Sequence, residues 1–331
     1  MTSLPTSVPT GLARPVPTNF LPHGRAEPRA SALPVHPHLP YTSAMTPKLK
    51  TFLERGFSTI LLLSILGGAV AWNHPTGYGV LICLLCNLTT WEWFCMLKGK
   101  VANRLLVLMG GIIYPWLLFL LPDGGIKQLN FAFGALVVYC IAAFLCNLFG
   151  MDYRQKNAAE ALSATGSSIL AFIYPVWLFS LSLIFIHSEH SIGLMLWLIL
   201  FTKMSDIWAY VSGVLLGGRF ISRRFSPVVS PKKTWEGIIG SFILTMTAGY
   251  FLLPLCCPDA TTGSNLLVEY FYIAPILFIL SVAGDLAGSL IKRGLEVKDS
   301  GSLLPGIGGI FDLIDSPAFT VGIFTAIMAI S

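Results

Sequence analysis

Long runs of apolar residues, separated by short polar or charged segments, fill the chain from about residue 56 to its C-terminus. A helix needs about 20 mostly apolar residues to cross the hydrocarbon core of a membrane. By this criterion the pattern predicts nine membrane-spanning helices, at 56–72, 76–97, 105–121, 130–150, 162–186, 191–216, 237–254, 268–291 and 316–330. We therefore expect an all-α, polytopic integral membrane protein in which residues 48–331 form one domain.

Lys and Arg are distributed unevenly among the segments between these spans. Positive residues accumulate in cytoplasmic loops. If the N-terminus is cytoplasmic, sixteen of the 21 Lys and Arg residues fall on that side, and the loops of the opposite side hold Lys127 alone. Because nine is an odd number of spans, the C-terminus is then predicted on the side opposite the N-terminus.

Residues 1–47 differ from the rest of the chain. They are rich in Pro, Ser, Thr and Ala and show no apolar periodicity, so they cannot bury enough apolar surface to fold by themselves. They also lack the apolar segment of a secretory signal. We predict a disordered, Pro-rich tail. Translation from Met45 is the alternative, in which most of this segment is not part of the protein.

The composition supports a membrane protein and excludes several other classes. Charged residues make up 11% of the chain and the mean hydropathy is +0.73, whereas soluble domains carry about a quarter charged residues. This excludes an ordinary soluble enzyme and a disordered protein. The net charge of +5 follows from the membrane orientation, so we expect no nucleic-acid partner. The seven cysteines lack the spacing of a zinc site or a disulfide framework.

Charged residues inside the predicted spans are costly in a membrane and usually have a function. Lys203, Asp206 and Tyr210 are spaced to share one face of the sixth span. A Lys203–Asp206 ion pair that only fixes helix packing is the alternative to a functional role. Glu92 and Glu160 lie near the cytoplasmic ends of their spans, where solvation at the interface or helix pairing explains them.

The cytoplasmic loop after the sixth span contains two lysines framed by hydroxyl groups. The residues concerned are Ser230, Lys232, Lys233 and Thr234. Attraction to anionic lipids would explain a basic pair such as Arg223 and Arg224 in the same loop. It does not explain lysines placed beside hydroxyls, a combination that suits a polyphosphate or a phospholipid head group. We therefore expect this segment to bind phosphate groups.

The end of the eighth span and the segment after it carry the most specific pattern. Four polar residues at i, i+4, i+7 and i+8 form one stripe on a helix: Asp285, Ser289, Lys292 and Arg293. Lys298 and Asp299 follow, then a Gly-rich segment, then Asp312 and Asp315 at i, i+3. Carboxylates grouped at one membrane face, with Lys and Arg nearby, suit Mg²⁺ that holds substrate phosphates. A solvated loop with structural ion pairs is the alternative interpretation.

These residues resemble the signature of the phosphatidate cytidylyltransferase family, also called CDP-diacylglycerol synthases. That signature has the form Ser-x-x-Lys-Arg, four residues, Lys-Asp, a Pro-Gly-His-Gly-Gly turn and Asp-Arg-x-Asp. The matching residues are, in order, Ser289, Lys292, Arg293, Lys298, Asp299, Pro305, Gly306, Gly308, Gly309, Asp312 and Asp315. The segment 230–237 and Asp206 with Tyr210 are similar to the family's other conserved block. Ile307 stands where the signature has His, and Leu313 where it has Arg.

The resemblance implies that CTP and phosphatidate, a membrane lipid, react to CDP-diacylglycerol and pyrophosphate. It implies Mg²⁺ held by Asp285, Asp312 and Asp315, with room for a second cation. Lysine and arginine side chains would bind the triphosphate and the lipid phosphate: Lys232, Lys233, Lys292, Arg293 and Lys298. Ser230, Thr234 and Ser289 would add hydrogen bonds, and Asp206 and Asp299 would support the site or contact the cytidine. A homodimer in the bacterial inner membrane, with its active site on the cytoplasmic face, is also expected.

Three other functions stay open at this point. A catalytically altered paralogue that binds lipid phosphates is one, because an Ile cannot donate a proton and a Leu cannot pair with a phosphate. A transporter is another, with Lys203, Asp206 and Asp285 as ligands near the middle of the membrane. A CDP-alcohol phosphatidyltransferase is disfavoured, since the chain has no acidic residue after Asp315.

Overall fold

The computed structural model describes residues 64, 68, 74–97, 104–122, 125–149, 158–186, 191–221, 223–258, 266–304 and 308–330. All of them belong to one packed unit, 46–331. The predicted tail 1–47 and Met45 lie outside the described residues. The same holds for residues 305–307, which include Ile307, and for the first predicted span apart from residues 64 and 68.

The described part of the chain is mostly helical. The helices are α1 (Pro75–Met96), α2 (Arg104–Leu120), α3 (Ile126–Phe149), α4 (Ala158–Phe172), the π-helical segment Ile173–Trp177, α5 (Leu178–Ser180), α6 (Ser182–Phe185), α7 (Ser191–Leu216), α8 (Trp235–Cys256), α9 (Leu266–Gly294) and α10 (Ile310–Ile330). Each predicted span after the first coincides with one of these helices or, at 158–185, with a continuous series of them. The polytopic helical fold is therefore confirmed in this region.

Seven helical stretches among the described residues are long and apolar enough to cross a membrane. They are α1, α3, the stretch from α4 to α6, α7, α8, α9 and α10. The helix α2 is equally apolar but has only 17 residues. The count of nine spans and the orientation of the termini stay predictions.

The loop after α7 contains a short β-hairpin, which the hydropathy pattern did not predict. Its strands are β1 (Arg224–Ser226) and β2 (Ser230–Thr234), paired antiparallel with Arg224 opposite Thr234 and Ser226 opposite Ser230. The ring of Phe225 packs edge-on against Trp235, with centroids 4.7 Å apart. This contact and the direct passage of β2 into α8 hold the hairpin against the end of the helix.

Small and hydroxyl residues bring α7, α8 and α9 close together. A Cβ on Gly237 would lie 2.9 Å from the carbonyl oxygen of Ala209 in α7, so only a glycine fits there. The Ser241 hydroxyl donates to the Ser205 carbonyl at 2.6 Å, and the hydroxyls of Ser205 and Ser281 are 2.7 Å apart. Close backbone approach and interhelical hydrogen bonds are the usual means of joining helices in membranes.

Two apolar clusters fill the interior. The larger one includes residues from every helix between α1 and α10. The smaller one joins five helices and the π-helical segment, with Trp93 and Met96 from α1, Val107 from α2, Ala171 from α4, Tyr174 from the π-helical segment, Ile291 from α9 and Phe311 from α10. This second cluster lies beneath the charged residues described below and fixes the helix ends that carry them.

We predict that Gly322→Ala destabilises the protein because the new Cβ would overlap the Leu178 carbonyl oxygen. Overpacking of this kind costs about 1–3 kcal/mol, which should appear as a lower unfolding temperature in detergent. The matched control is Gly134→Ala in α3, where nothing lies within 4 Å of the added Cβ. If the unfolding temperature of Gly322→Ala is no lower than that of this control, the result would contradict the close contact between α10 and α5.

Candidate active site

Charged side chains gather where α7 and α9 end and α8 and α10 begin. The hairpin that precedes α8 contacts α9 through Lys233, whose Nζ lies 2.5 Å from Oδ2 of Asp285. The contact joins the hairpin to α9, nine residues before that helix ends at Gly294. Three of the predicted carboxylates and two of the predicted lysines are therefore brought together where these elements meet: Asp285, Asp312, Asp315, Lys233 and Lys292.

The Lys233–Asp285 pair is largely shielded from solvent. The two side chains are 17% and 27% exposed. Successive residues of a strand point to opposite faces, and the neighbouring Lys232 is accordingly exposed. The two lysines, which the sequence treats as equivalent, thus have different environments, and only Lys233 faces the carboxylates.

Lys292 lies between two acidic residues of α10. Its ammonium group is paired with Oδ1 of Asp312 and lies 3.8 Å from Oδ2 of Asp315. The side chains of Lys292 and Asp315 are only 12% and 6% exposed. Since α10 begins at Ile310, Asp312 and Asp315 are both helical and face the same way, as their i, i+3 spacing predicts.

Two glycines of α9 allow α10 to approach at this point. A Cβ on Gly284 would be 2.7 Å from the Asp315 carbonyl oxygen, and one on Gly288 would be 2.8 Å from Cβ of Asp315. Any larger residue would push the helices apart. The glycines therefore place Asp315 beside the turn of α9 that carries Asp285.

The carboxylate of Asp312 also accepts hydrogen bonds from residues that lie between α9 and α10. Its Oδ2 accepts hydrogen bonds from the Ser300 amide at 3.2 Å, the Ser300 hydroxyl at 2.8 Å and the Gly309 amide at 3.1 Å. Leu304 and Gly308 exchange two backbone hydrogen bonds, and Gly308 has φ +126°, a conformation that favours glycine. The same carboxylate thus pairs with Lys292 and holds the connecting segment in place.

Glu92 is a structural part of the site that the sequence reasoning did not assign to it. Its carboxylate, 3% exposed, accepts from the amides of Ile310 at 2.8 Å and Phe311 at 2.9 Å, and from the Ser300 hydroxyl at 3.2 Å. An anion at a helix N-terminus satisfies free amides and opposes the helix dipole. Helix pairing is therefore the correct explanation of Glu92, and interfacial solvation is wrong.

One sequence signal could have indicated this role. The segment before α10 reads Gly308-Gly309-Ile310 and offers no Ser, Thr, Asp or Asn at the capping position, where a side-chain oxygen is strongly preferred. A buried helix start without its own acceptor needs one from elsewhere. The unexplained acid at Glu92 was a candidate for it.

Helix α8 begins differently, because it supplies its own cap. The Thr234 hydroxyl oxygen accepts from the Gly237 amide at 3.1 Å, and Thr234 is 5% exposed. Oε1 of Glu236 accepts from the amides of Gly218, Phe220 and Ile221 at 2.8–3.1 Å, which orders the start of the hairpin loop. Thr234, expected to contact substrate, is therefore used here as a helix cap.

The Lys203–Asp206 pair extends the charged network into α7. Lys203 Nζ lies 3.4 Å from Asp206 Oδ2, which also accepts from the Ser316 hydroxyl at 3.2 Å. The Ser316 amide in turn donates to Asp315 Oδ1 at 2.7 Å. The predicted ion pair is present and is connected to the site. Tyr210 is 74% exposed and does not join it.

Several predicted residues are not drawn into this network. Exposed side chains are found at Lys232, Arg293, Lys298 and Asp299, and partly buried ones at Ser230 and Ser289. Arg293 donates to the Val297 carbonyl at 3.4 Å. Leu313, at the position where the family signature has Arg, is partly buried and packs against the larger apolar cluster.

The carboxylates offer oxygen ligands of the kind that Mg²⁺ prefers. In the part of the chain that the structure describes, no group of three or more His, Cys, Asp or Glu side chains is arranged around a common metal position. The Lys292 ammonium instead stands as a cation between Asp312 and Asp315, and Lys233 does the same at Asp285. Lysine ammonium groups therefore pair with the carboxylates that the sequence assigned to a metal, and Mg²⁺ at this site stays a prediction.

Comparison with known proteins identifies the family. A model described as the cytidylyltransferase family matches residues 53–331. The chain belongs to the cytidylyltransferase family. The ion-paired residues Lys233, Asp285, Lys292, Asp312 and Asp315 all lie within the matched range.

Three relatives illustrate the range of similarity. The phosphatidate cytidylyltransferase of Haemophilus influenzae is 26% identical over 286 residues, which cover 82% of this chain and 96% of the relative. The phosphatidate cytidylyltransferase of Mycobacterium bovis is 32% identical over 228 residues, covering 66% and 68%. The uncharacterized protein YnbB of Escherichia coli K12 is 36% identical over 303 residues, covering 82% and 97%. The similarity therefore extends over most of this cytidylyltransferase-family chain.

We predict that Glu92→Gln loosens the start of α10, because an amide cannot offer four acceptor positions or a negative charge to the Ile310 and Phe311 amides. Losing a buried charge-assisted hydrogen bond costs about 1–3 kcal/mol, measurable as a lower unfolding temperature. Glu269→Gln, an exposed acid in the first turn of α9, is the control. Equal unfolding temperatures for the two variants would contradict the capping role.

Proposed function

We propose that this protein is a phosphatidate cytidylyltransferase, which converts CTP and phosphatidate to CDP-diacylglycerol and pyrophosphate. The family assignment and the names of the H. influenzae and M. bovis relatives support this activity. The observation that carries the proposal is the contact between α9 and α10, where the acidic and basic residues of the family signature meet in buried ion pairs.

The reaction demands charge neutralisation more than acid–base chemistry. The second pKa of a phosphate monoester is about 6, so phosphatidate is largely dianionic at neutral pH and can attack without a general base. A phosphate oxygen of the lipid forms a bond to the α-phosphorus of CTP, and the bond to pyrophosphate breaks. Two polyanions must be held together and a third must leave, which requires positioning and positive charge.

Lys233 and Lys292 supply that positive charge. Lys233 pairs with Asp285, and Lys292 pairs with Asp312 and lies near Asp315. When phosphates enter the site, the lysine side chains can turn to the phosphate oxygens, which leaves the three carboxylates free to hold Mg²⁺. The metal would neutralise phosphate charge in the transition state. The three carboxylates would then face two positive charges both before substrate binds, from the two lysines, and afterwards, from Mg²⁺.

The helix lengths support a site at a membrane surface. Helix α9 has 29 residues, about 43 Å at 1.5 Å per residue, which exceeds a hydrocarbon core of about 30 Å. Its C-terminal part, which carries Lys292, would therefore extend out of the core on the hairpin side. We propose that this side is cytoplasmic, in a bacterial inner membrane, because CTP is soluble while phosphatidate enters from the bilayer.

A lipid-phosphate-binding paralogue without turnover is the second candidate. The observation in its favour is Leu313, which packs against the apolar core and places no guanidinium where the family signature has one. A transporter is disfavoured, because Asp285 is paired with a lysine from the hairpin outside the spans, whereas transporter sites lie between spans near the middle of the membrane.

The decisive experiment is CTP-dependent formation of CDP-diacylglycerol by the purified protein in detergent, with phosphatidate and with or without Mg²⁺. We expect Mg²⁺-dependent product, and a loss of about 100-fold or more in turnover for Asp285→Asn and Asp315→Asn, as for removal of other groups that stabilise transition-state charge. Glu269→Gln is the control for charge loss away from the site. A folded protein that binds phosphatidate vesicles but forms no product would favour the paralogue.

We also predict that Lys233→Met and Lys232→Met differ sharply. Only Lys233 faces Asp285, so its loss should leave a buried carboxylate without its cation and lower turnover by about 100-fold. Lys232→Met should lower it by less than about threefold, since an exposed charge contributes little. Steady-state rates at saturating CTP test this. Equal losses would show that both lysines act on substrate.

A further inference from the structure

Tyr174 places a single buried hydroxyl between the two helices that carry the acidic residues. The residue is 3% exposed. Its hydroxyl donates to the Gly284 carbonyl at 2.6 Å and lies 3.1 Å from the Asp315 carbonyl. One acceptor immediately precedes Asp285, and the other belongs to Asp315 itself. A residue from the π-helical segment therefore contacts the backbone of α9 next to Asp285 and the backbone of α10 at Asp315.

The local structure around Tyr174 holds the hydroxyl in this position. It lies in the π-helical segment Ile173–Trp177, together with Pro175. A single π turn inside a helical stretch changes the direction of its side chains and is frequent at functional sites. The ring packs against Phe311 and Phe319 of α10, with centroids 5.6 and 5.4 Å away. These contacts leave the ring little freedom.

There is also little room for any other group at this point. A Cβ on Gly288 would be 3.1 Å from the Tyr174 hydroxyl and 2.8 Å from Cβ of Asp315. The hydroxyl, the glycine and the aspartate are therefore in mutual contact. The spacing between the backbones of α9 and α10 therefore depends on the hydrogen bonds of the Tyr174 hydroxyl and on the absence of a side chain at Gly288.

We propose that Tyr174 is a positioning residue, whose hydroxyl fixes the distance between the Asp285 and Asp315 carboxylates. The inference rests on the function proposed above, because that function requires both carboxylates to act on the same phosphates. Groups in a catalytic site must be held to within about 0.5 Å. Lys292 and Lys233 are the cations that pair with the acidic side chains. Tyr174 instead fixes the backbones from which two of these side chains extend.

Tyr270 provides a matched control within the same protein. It is 4% exposed, and its hydroxyl donates to the Met246 carbonyl at 2.6 Å, joining α9 to α8. Along α9 it precedes Asp285 by fifteen residues, about 22 Å. Removal of either hydroxyl deletes one buried bond between helices, but only one of these bonds is next to the charged site.

The test compares Tyr174→Phe with Tyr270→Phe in the full-length protein. Both variants should lose a similar amount of thermal stability. Only Tyr174→Phe should lower kcat for CDP-diacylglycerol formation, by about 10- to 100-fold, because a misplacement of about 1 Å can cost 100-fold, while the KM for CTP changes by less than threefold. A kcat for Tyr174→Phe equal to that of Tyr270→Phe would overturn the inference.

Hydrogen–deuterium exchange of the substrate-free protein gives a readout that does not depend on turnover. The peptides 282–290 and 312–318 should exchange faster in Tyr174→Phe than in the wild type or in Tyr270→Phe. A wild-type protein that forms no CDP-diacylglycerol would refute the proposed function and leave this comparison intact. Unchanged exchange in both peptides would refute the positioning role even if the wild type is active.

Discussion

The contact between α9 and α10 is the constraint on which the rest of the site depends. A buried charge is expensive in a membrane protein unless it is paired, and Asp315 is among the most buried acids described here. Gly284 and Gly288 let its helix come close enough for Lys292 to pair with it and with Asp312. If either glycine were larger, the lysine and the carboxylates would be separated and each would remain as an uncompensated charge.

The ends of the helices explain how this contact is kept in register. Helix α8 starts with Thr234, which caps it from the adjacent residue in sequence. Helix α10 has no such residue and takes its acceptor from Glu92, more than 200 residues earlier. The Ser300 hydroxyl lies between Glu92 and Asp312, so the connection between α9 and α10 is fixed to both. The acidic face of α10 is thus oriented by α1, by the π-helical segment and by α9 together.

This arrangement accords with the chemistry of the family. An enzyme that joins a soluble nucleotide to a membrane lipid needs a cluster of positive charge that is stable before the phosphates arrive. Paired lysines and aspartates fit this need under the proposed function, because each lysine has a carboxylate partner and would gain a second kind of partner in the phosphates. Ion pairs would then offset the desolvation free energy of these charges both before and after the phosphates bind. Leu313 shows that the chain reaches this arrangement with an apolar residue at a position where the family signature has Arg.

Hydropathy and residue spacing determined the spans after the first, the helical stripe from Asp285 to Lys292 and the common face of Asp312 and Asp315. These are local properties, because a run of apolar residues or an i, i+3 interval has the same meaning wherever the helix packs. The tertiary structure alone decided that Lys233 rather than Lys232 meets Asp285, that Glu92 caps α10, that Tyr174 bridges two helices and that the loop after α7 forms a hairpin. The first three of these depend on which surfaces meet across 50 to 220 residues of chain. A hydrogen bond of about 3 Å between such distant residues is fixed by packing geometry, which a single sequence does not contain.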